Sequence, residues 1–156
     1  MSLLSQPAPE FTLPVAGGGE FTLSDHRPSW TVLFFYPRDD TSGCTREAVE
    51  FAEKLKAFRD CGANVVGVSK DTLKSHDKFI TKHDLAVTLA SDADTDVCEQ
   101  FGVWVEKSMY GRKFMGIERA TFLIDGAGVV RAEWRKVKVP GHVEAVLTTL
   151  RELREL

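Results

Sequence analysis

The chain has 156 residues, 43% hydrophobic and 28% charged, with a net charge of −3; this is the balance of one globular domain spanning 1–156, and it excludes a disordered chain and any general attraction to nucleic acid or an anionic membrane. Three cysteines, an odd number, do not make a disulfide-stapled secreted scaffold and point to a reducing compartment or to redox chemistry. Met1 to Ala16 has no basic cluster followed by a long apolar run, and the longest such run, Val32 to Tyr36, is too short to span a bilayer, so the expectation is a cytoplasmic protein.

Phe11-Thr12-Leu13 and Phe21-Thr22-Leu23 flank a glycine-rich turn at Gly17-Gly18-Gly19, which predicts an N-terminal β-hairpin. Thr31 to Tyr36 is continuously apolar and rich in aromatic and β-branched residues, the pattern of a central strand buried on both faces, and Pro37 ends it. Ala48, Phe51, Ala52, Leu55 and Phe58 then fall at helical spacing, predicting one helix of about four turns from Cys44 to Cys61-Gly62. Ala63 to Ser69 is a second buried strand, so residues 31–69 form a βαβ unit with parallel strands. A helix from Thr72 to Lys82, a strand from Val87 to Ala90 and a short helix from Asp94 to Phe101 follow. The stretch Val103 to Gly116 reads as irregular chain whose Trp104, Tyr110, Phe114 and Met115 pack on the body. Two strands around Asp125-Gly126-Ala127-Gly128 form a hairpin, and a last helix runs from Gly141 to Leu153. A parallel βαβ joined to an antiparallel ββα is the thioredoxin-like α/β arrangement, here with an N-terminal β-hairpin and an inserted helix-strand segment.

Cys44 follows the central strand by eight residues and opens the next helix. Unpaired N–H groups and the positive end of the helix dipole gather there, and both favour a thiolate over a thiol. Taken alone, an isolated cysteine in that place is as well explained as a small buried hydrophobe. Asp39 and Asp40 oppose ionisation if they point inward, and a compensating cation is then needed. The four histidines, His26, His76, His83 and His142, show no metal-ligand pairing except His76 and His83, seven apart, and read as surface residues; there is also no C-x-x-C pair.

The segment Phe35-Tyr36-Pro37-Arg38-Asp39-Asp40-Thr41-Ser42-Gly43-Cys44-Thr45-Arg46-Glu47 resembles the active-site signature of the peroxiredoxins, and most of all the bacterioferritin comigratory protein or PrxQ subgroup. Pro37, Thr41 and Cys44 meet the P-x-x-x-T-x-x-C pattern in full, and Ser91-Asp92, Phe101-Gly102-Val103-Trp104 and Gly116-Ile117-Glu118-Arg119 with Thr121 to Asp125 extend the likeness over about residues 6–150. The resemblance implies a thiol peroxidase without cofactor or metal. Cys44 is its nucleophile, Thr41 hydrogen-bonds thiolate and peroxide, Pro37 shields the pocket, and Arg119 stabilises the thiolate and the stretched O–O bond. Glu47 reads as a first-turn carboxylate with a secondary role in orienting an arginine. Ser42 departs from the subgroup's usual proline.

Positions where the subgroup carries a resolving cysteine hold Val49 and Ile80. Cys61 lies about 25 Å from Cys44 along the helix, beyond disulfide reach, and reads as a buried structural thiol. Cys98 stays a candidate resolving residue. The implied partners are a peroxide substrate and a thioredoxin- or glutaredoxin-type thiol reductant, and the chain is expected to be a monomer or weak homodimer. The rival reading is a thioredoxin-fold redox sensor or chaperone module in which Cys44 is oxidised without turnover.

Overall fold

The computed structural model describes residues 2–155. Strands β1 (Thr12–Pro14) and β2 (Glu20–Thr22) form the N-terminal hairpin, followed by a single 3-10 turn at Leu23–His26. The central strand β3 (Trp30–Phe35) leads into α1 (Ser42–Glu53) and α2 (Leu55–Asp60), then β4 (Ala63–Ser69), α3 (Leu73–His83) and β5 (Thr88–Ser91). The short α4 (Val97–Gln100) precedes β6 (Trp104–Met109) and β7 (Arg112–Ile117), and the chain closes with β8 (Ala120–Ile124), β9 (Val130–Arg135) and α5 (His142–Arg154).

Five strands make one mixed sheet in the order β5-β4-β3-β8-β9, with β3, β4 and β5 parallel and β8 and β9 antiparallel to their neighbours. Because side chains alternate along a strand, β3 divides the interior in two. Val32, Phe34 and the following Tyr36 join the core that holds α1, α2, α3 and α5, whereas Leu33 and Phe35 join the core under the N-terminal hairpin and α4. Gly67 of β4 faces the first core without a side chain because the Phe34 ring fills its place: a Cβ there would sit 2.5 Å from Phe34 Cζ.

Three expectations change. The long helix after Cys44 is interrupted at Lys54, whose backbone leaves helical geometry (φ −98°, ψ 5°), and the offset still lets Phe51, Leu55 and Phe58 reach one core. Residues 104–117 are not irregular chain on the body but a two-stranded antiparallel ribbon paired only with itself. Its tip projects, with Tyr110 99% exposed and Met109, Phe114 and Met115 also facing out; only Trp104 and Ile117 at its base pack inward. Finally, two of the histidines are interior: His76 and His142 are both buried, each with a hydrogen-bond partner that removes the usual reason for a surface position.

Candidate active site

The central strand β3 delivers the chain to the end of the sheet at its own C-terminus, and residues 36–41 carry it over to α1. Thr41 is the N-cap of α1, its carbonyl accepting from the Thr45 amide at 2.8 Å. Its hydroxyl does not cap the helix but donates to the Arg38 carbonyl at 3.0 Å. The first amides of α1 are therefore left as donors directed past the helix end. Cys44 sits in that first turn, its side chain 2% exposed against the inner core.

Arg119, in the bend between β7 and β8, reaches across to this helix start. Its Nη2 donates to Cys44 Sγ at 3.3 Å, and its Nη1 donates to Glu47 Oε1 at 2.7 Å. The helix turn explains the pairing: positions three apart lie on one face, so Cys44 and Glu47 present sulfur and carboxylate side by side to one planar guanidinium. Gly43 leaves room for it, since a Cβ at that position would stand 3.2 Å from Arg119 Nη2. Burial opposes the arginine's charge, but Glu47 and Cys44 outweigh it and hold the guanidinium above its ordinary value.

Glu47 is fully buried, and burial pushes its carboxyl up to about 7 even though Arg119 pulls the other way. Oε2 makes no hydrogen bond and lies 4.0 Å from His142 Nε2, which is itself 2.8 Å from Thr121 Oγ1. Burial, with Arg119 adding to it, lowers His142 to about 4 and so keeps it neutral near pH 7. The pairing with Arg119 agrees with the reading of Glu47 as a first-turn carboxylate that orients an arginine, but neither its complete burial nor His142 as its neighbour was legible, since His142 lies almost a hundred residues away in sequence.

The two aspartates of the loop do not face the sulfur. Asp39 turns into the inner core, where Tyr36 OH donates to its Oδ1 at 2.6 Å while Ser75 Oγ and His76 Nδ1 meet its Oδ2 at 2.8 and 2.7 Å. Burial and the Asp39 carboxylate push Tyr36 well above its ordinary value, so its hydroxyl remains a donor. His76 Nε2 lies 2.9 Å from the Ala90 carbonyl, and Asp71 Oδ2 accepts from the Asp39 amide. Asp39, Asp71 and His76 bring three donor atoms within 4.8 Å of one another, a spacing a metal could use. Each of these atoms is already engaged in hydrogen bonds, which makes the cluster a clamp that ties the loop to α3 and β5. Asp40 takes a left-handed backbone (φ 60°) and faces outward to Lys82 and His83 of α3.

Pro37 is half-buried and, with Arg38, Trp104, Lys107 and Ile117, lines a groove of about 340 Å³ beside the helix start. Burial and the nearby Arg119 lower Lys107. Of the four residues singled out from sequence, Cys44 and Arg119 are in contact, Thr41 occupies the N-cap position of the helix that carries Cys44, and Pro37 forms part of the groove wall. The remaining cysteines stand apart from them. Cys98 is fully buried in the core under the N-terminal hairpin and α4, on the opposite side of the sheet from Cys44, and burial together with Asp92 pushes its thiol far up. Cys61 follows α2 at its far end and is partly exposed rather than buried.

A family model described as AhpC/TSA family matches residues 4–133. A protein from Coxiella burnetii named putative peroxiredoxin bcp is 48% identical over 147 residues, which cover 94% of this chain and 97% of its own. Peroxiredoxin Q from Xanthomonas campestris superposes with a TM-score of 0.88 at 46% identity, over 92% of this chain and 91% of that one. A structure of the bacterioferritin comigratory protein of the same organism, determined in work on its alkyl peroxide reduction activity, also gives a TM-score of 0.88, at 45% identity and 92% of both chains.

Proposed function

The chain belongs to the AhpC/TSA family as a peroxiredoxin of the Bcp/PrxQ group, a thiol peroxidase, and we propose that it works through a sulfenic acid on Cys44 which an external thiol then resolves. The observation that carries the assignment is the contact of Arg119 Nη2 with Cys44 Sγ at 3.3 Å, at a helix start whose N-cap side chain leaves the first amides free. Cys44 thiolate attacks the distal oxygen of the peroxide, the S–O bond forms as the O–O bond breaks, and the departing alkoxide or hydroxide takes up a proton. Arg119 and the first amides of α1 are placed to meet the negative charge that builds on the two oxygens. Thr41 is assigned a hydrogen bond with the bound peroxide, its hydroxyl oxygen accepting from the peroxide O–H while it donates to the Arg38 carbonyl, and Pro37 the role of a wall that limits water.

The sulfenic acid then condenses with a thiol of a thioredoxin- or glutaredoxin-type reductant, releasing water and leaving a mixed disulfide that a second thiol cleaves. This external route is supported by the cysteine placement, with Cys98 across the sheet and Cys61 at the remote end of α2. No metal or organic cofactor enters the cycle. The test is peroxide consumption with excess thiol. Wild type is expected to cycle for many equivalents and Cys44→Ser to consume none, since a hydroxyl is a far poorer nucleophile at neutral pH. Consumption that stops after one equivalent in wild type would make the protein a sensor instead.

A further inference from the structure

Two acidic side chains face one guanidinium at the centre of the site. The same guanidinium donates from Nη2 to Cys44 Sγ and from Nη1 to Glu47 Oε1. The Glu47 side chain has no solvent exposure, and its Oε2 has no hydrogen-bond partner. A buried carboxylate oxygen without a donor is costly as a charge and far less so when the group is protonated.

Among the described residues, the surrounding groups do not supply Glu47 with a second cation. Glu50, one turn along α1, adds negative charge to the neighbourhood. His142, from α5, lies 4.0 Å from Oε2 but is held neutral by burial and by Arg119 itself. Thr121 of β8 contributes only a hydroxyl, which meets His142 rather than the carboxylate. Lys107 of β6 acts on Arg119 and Cys44 and makes its own hydrogen bond to the Ile117 carbonyl. Arg119 is thus the cation that acts on Glu47, and the thiolate shares it, so full ionisation of one disfavours that of the other.

We propose that Glu47 is a proton store coupled to the redox state of Cys44: its carboxyl is protonated while Cys44 is a thiolate, and it gives up that proton when oxidation replaces the thiolate by a neutral sulfenic acid. The step balances. Thiolate, hydroperoxide and Glu47 carboxylic acid become sulfenic acid, alcohol and Glu47 carboxylate, with one negative charge on each side and no proton drawn from solution overall. The sulfur loses two electrons to the peroxide, and Arg119 passes from the thiolate to sole pairing with Glu47. Glu47 touches neither substrate nor sulfur, so it is a positioning residue that acts through Arg119. Its upward shift to about 7 places the store in the working range of pH.

The inference rests on Cys44 being the peroxidatic nucleophile, and the test separates the two. Single-turnover oxidation is followed in lightly buffered solution with a pH-indicator dye, the thiolate content being read beforehand from its ultraviolet absorbance. Wild type at about pH 6 should take up roughly 0.1 proton per thiolate consumed, rising to ~1 at about pH 9, where Glu47 is already ionised. Glu47→Gln keeps an oxygen for Arg119 but stores no proton, so it should take up ~1 throughout. Infrared difference spectra of wild type before and after oxidation should show loss of a buried carboxylic acid band, a readout that needs no variant. Uptake of a full proton per thiolate by wild type at about pH 6, with no carboxyl band lost, would overturn the store and leave the peroxidase intact. Absence of any Cys44 oxidation would instead overturn the assignment on which both depend.

Discussion

Glu47 and His142 face each other across the core with shifts of opposite kind, and their effects on stability run in opposite directions with pH. Glu47 is raised from 4.5 to about 7, so between those values the folded chain binds a proton that the unfolded chain has lost. That contribution is present below about pH 4.5 and disappears as pH rises through 7. His142 is lowered from 6.5 to about 4, so the unfolded chain binds the extra proton, and stability is lost as pH falls through that window. At 1.36 kcal/mol per unit, the Glu47 contribution is about 3 kcal/mol. The His142 contribution, discounted for solvent screening, is ~2 kcal/mol. In the wild type the two largely offset each other, leaving a shallow fall of about 1 kcal/mol as pH rises from about 4.5 to 6.5. Glu47→Gln removes the falling part, so its stability should climb with pH across this interval, and His142→Asn should show the reverse slope. Asp40, Asp92 and Glu133 are held low, and their losses come on below this window. Urea denaturation at a series of pH values measures the slopes. Parallel curves for wild type and both variants would refute the reasoning, since they would mean that neither group changes its proton affinity on folding.

Arg119→Met should slow peroxide reduction by ~10- to ~150-fold at neutral pH, the worth of one charge-assisted hydrogen bond of about 1.5–3 kcal/mol. In a stopped-flow rate against pH profile, complete recovery at high pH would restrict Arg119 to thiol ionisation and deny it a share in the transition state. Thr41→Val should cost about tenfold in the same assay, with one directed hydrogen bond worth ~1.4 kcal/mol removed; an unchanged rate would leave Thr41 as a helix cap alone.

Much of the site could be read in the chain because its parts are local. Pro37, Thr41 and Cys44 lie within eight residues at the join of a continuous apolar strand and an amphipathic helix, and both period and punctuation mark that join. Arg119 was legible only through family likeness, since nothing in local spacing distinguishes an arginine that crosses to Cys44 from a solvated one. His142 and His76 were misplaced for a related reason. A lone histidine in a polar stretch reads as exposed, and its burial is decided by tertiary partners, Thr121 for one and Asp39 with the Ala90 carbonyl for the other. The ribbon at 104–117 failed differently: its aromatic residues suggest packing, yet the strands pair with each other and present Tyr110 and Phe114 to solvent.

Strand parity also bears on which cysteines can meet. Val32, Phe34 and Tyr36 point to the helix side with Cys44, while Leu33 and Phe35 point to the side that holds Cys98, so the sheet lies between the two thiols. A disulfide needs Cα atoms within about 7 Å, a separation that two residues in layers on opposite faces of a sheet do not reach without dismantling a core. Cys98 also accepts no easy ionisation, since burial and Asp92 favour its thiol form, and a thiol attacks a sulfenic acid poorly. Cys61 begins some 25 Å away along α1 and α2. Replacing both Cys61 and Cys98 by serine should therefore leave turnover with a small-thiol or glutaredoxin-type reductant at the wild-type rate, and oxidised wild type should hold a trappable sulfenic acid on Cys44 that over-oxidises when thiol is scarce. Mass spectrometry after one equivalent of peroxide, with a sulfenic-acid trap present, checks both. A Cys44–Cys98 disulfide in that experiment would require the sheet to open during the cycle, and would replace the external-thiol route with one built on local unfolding.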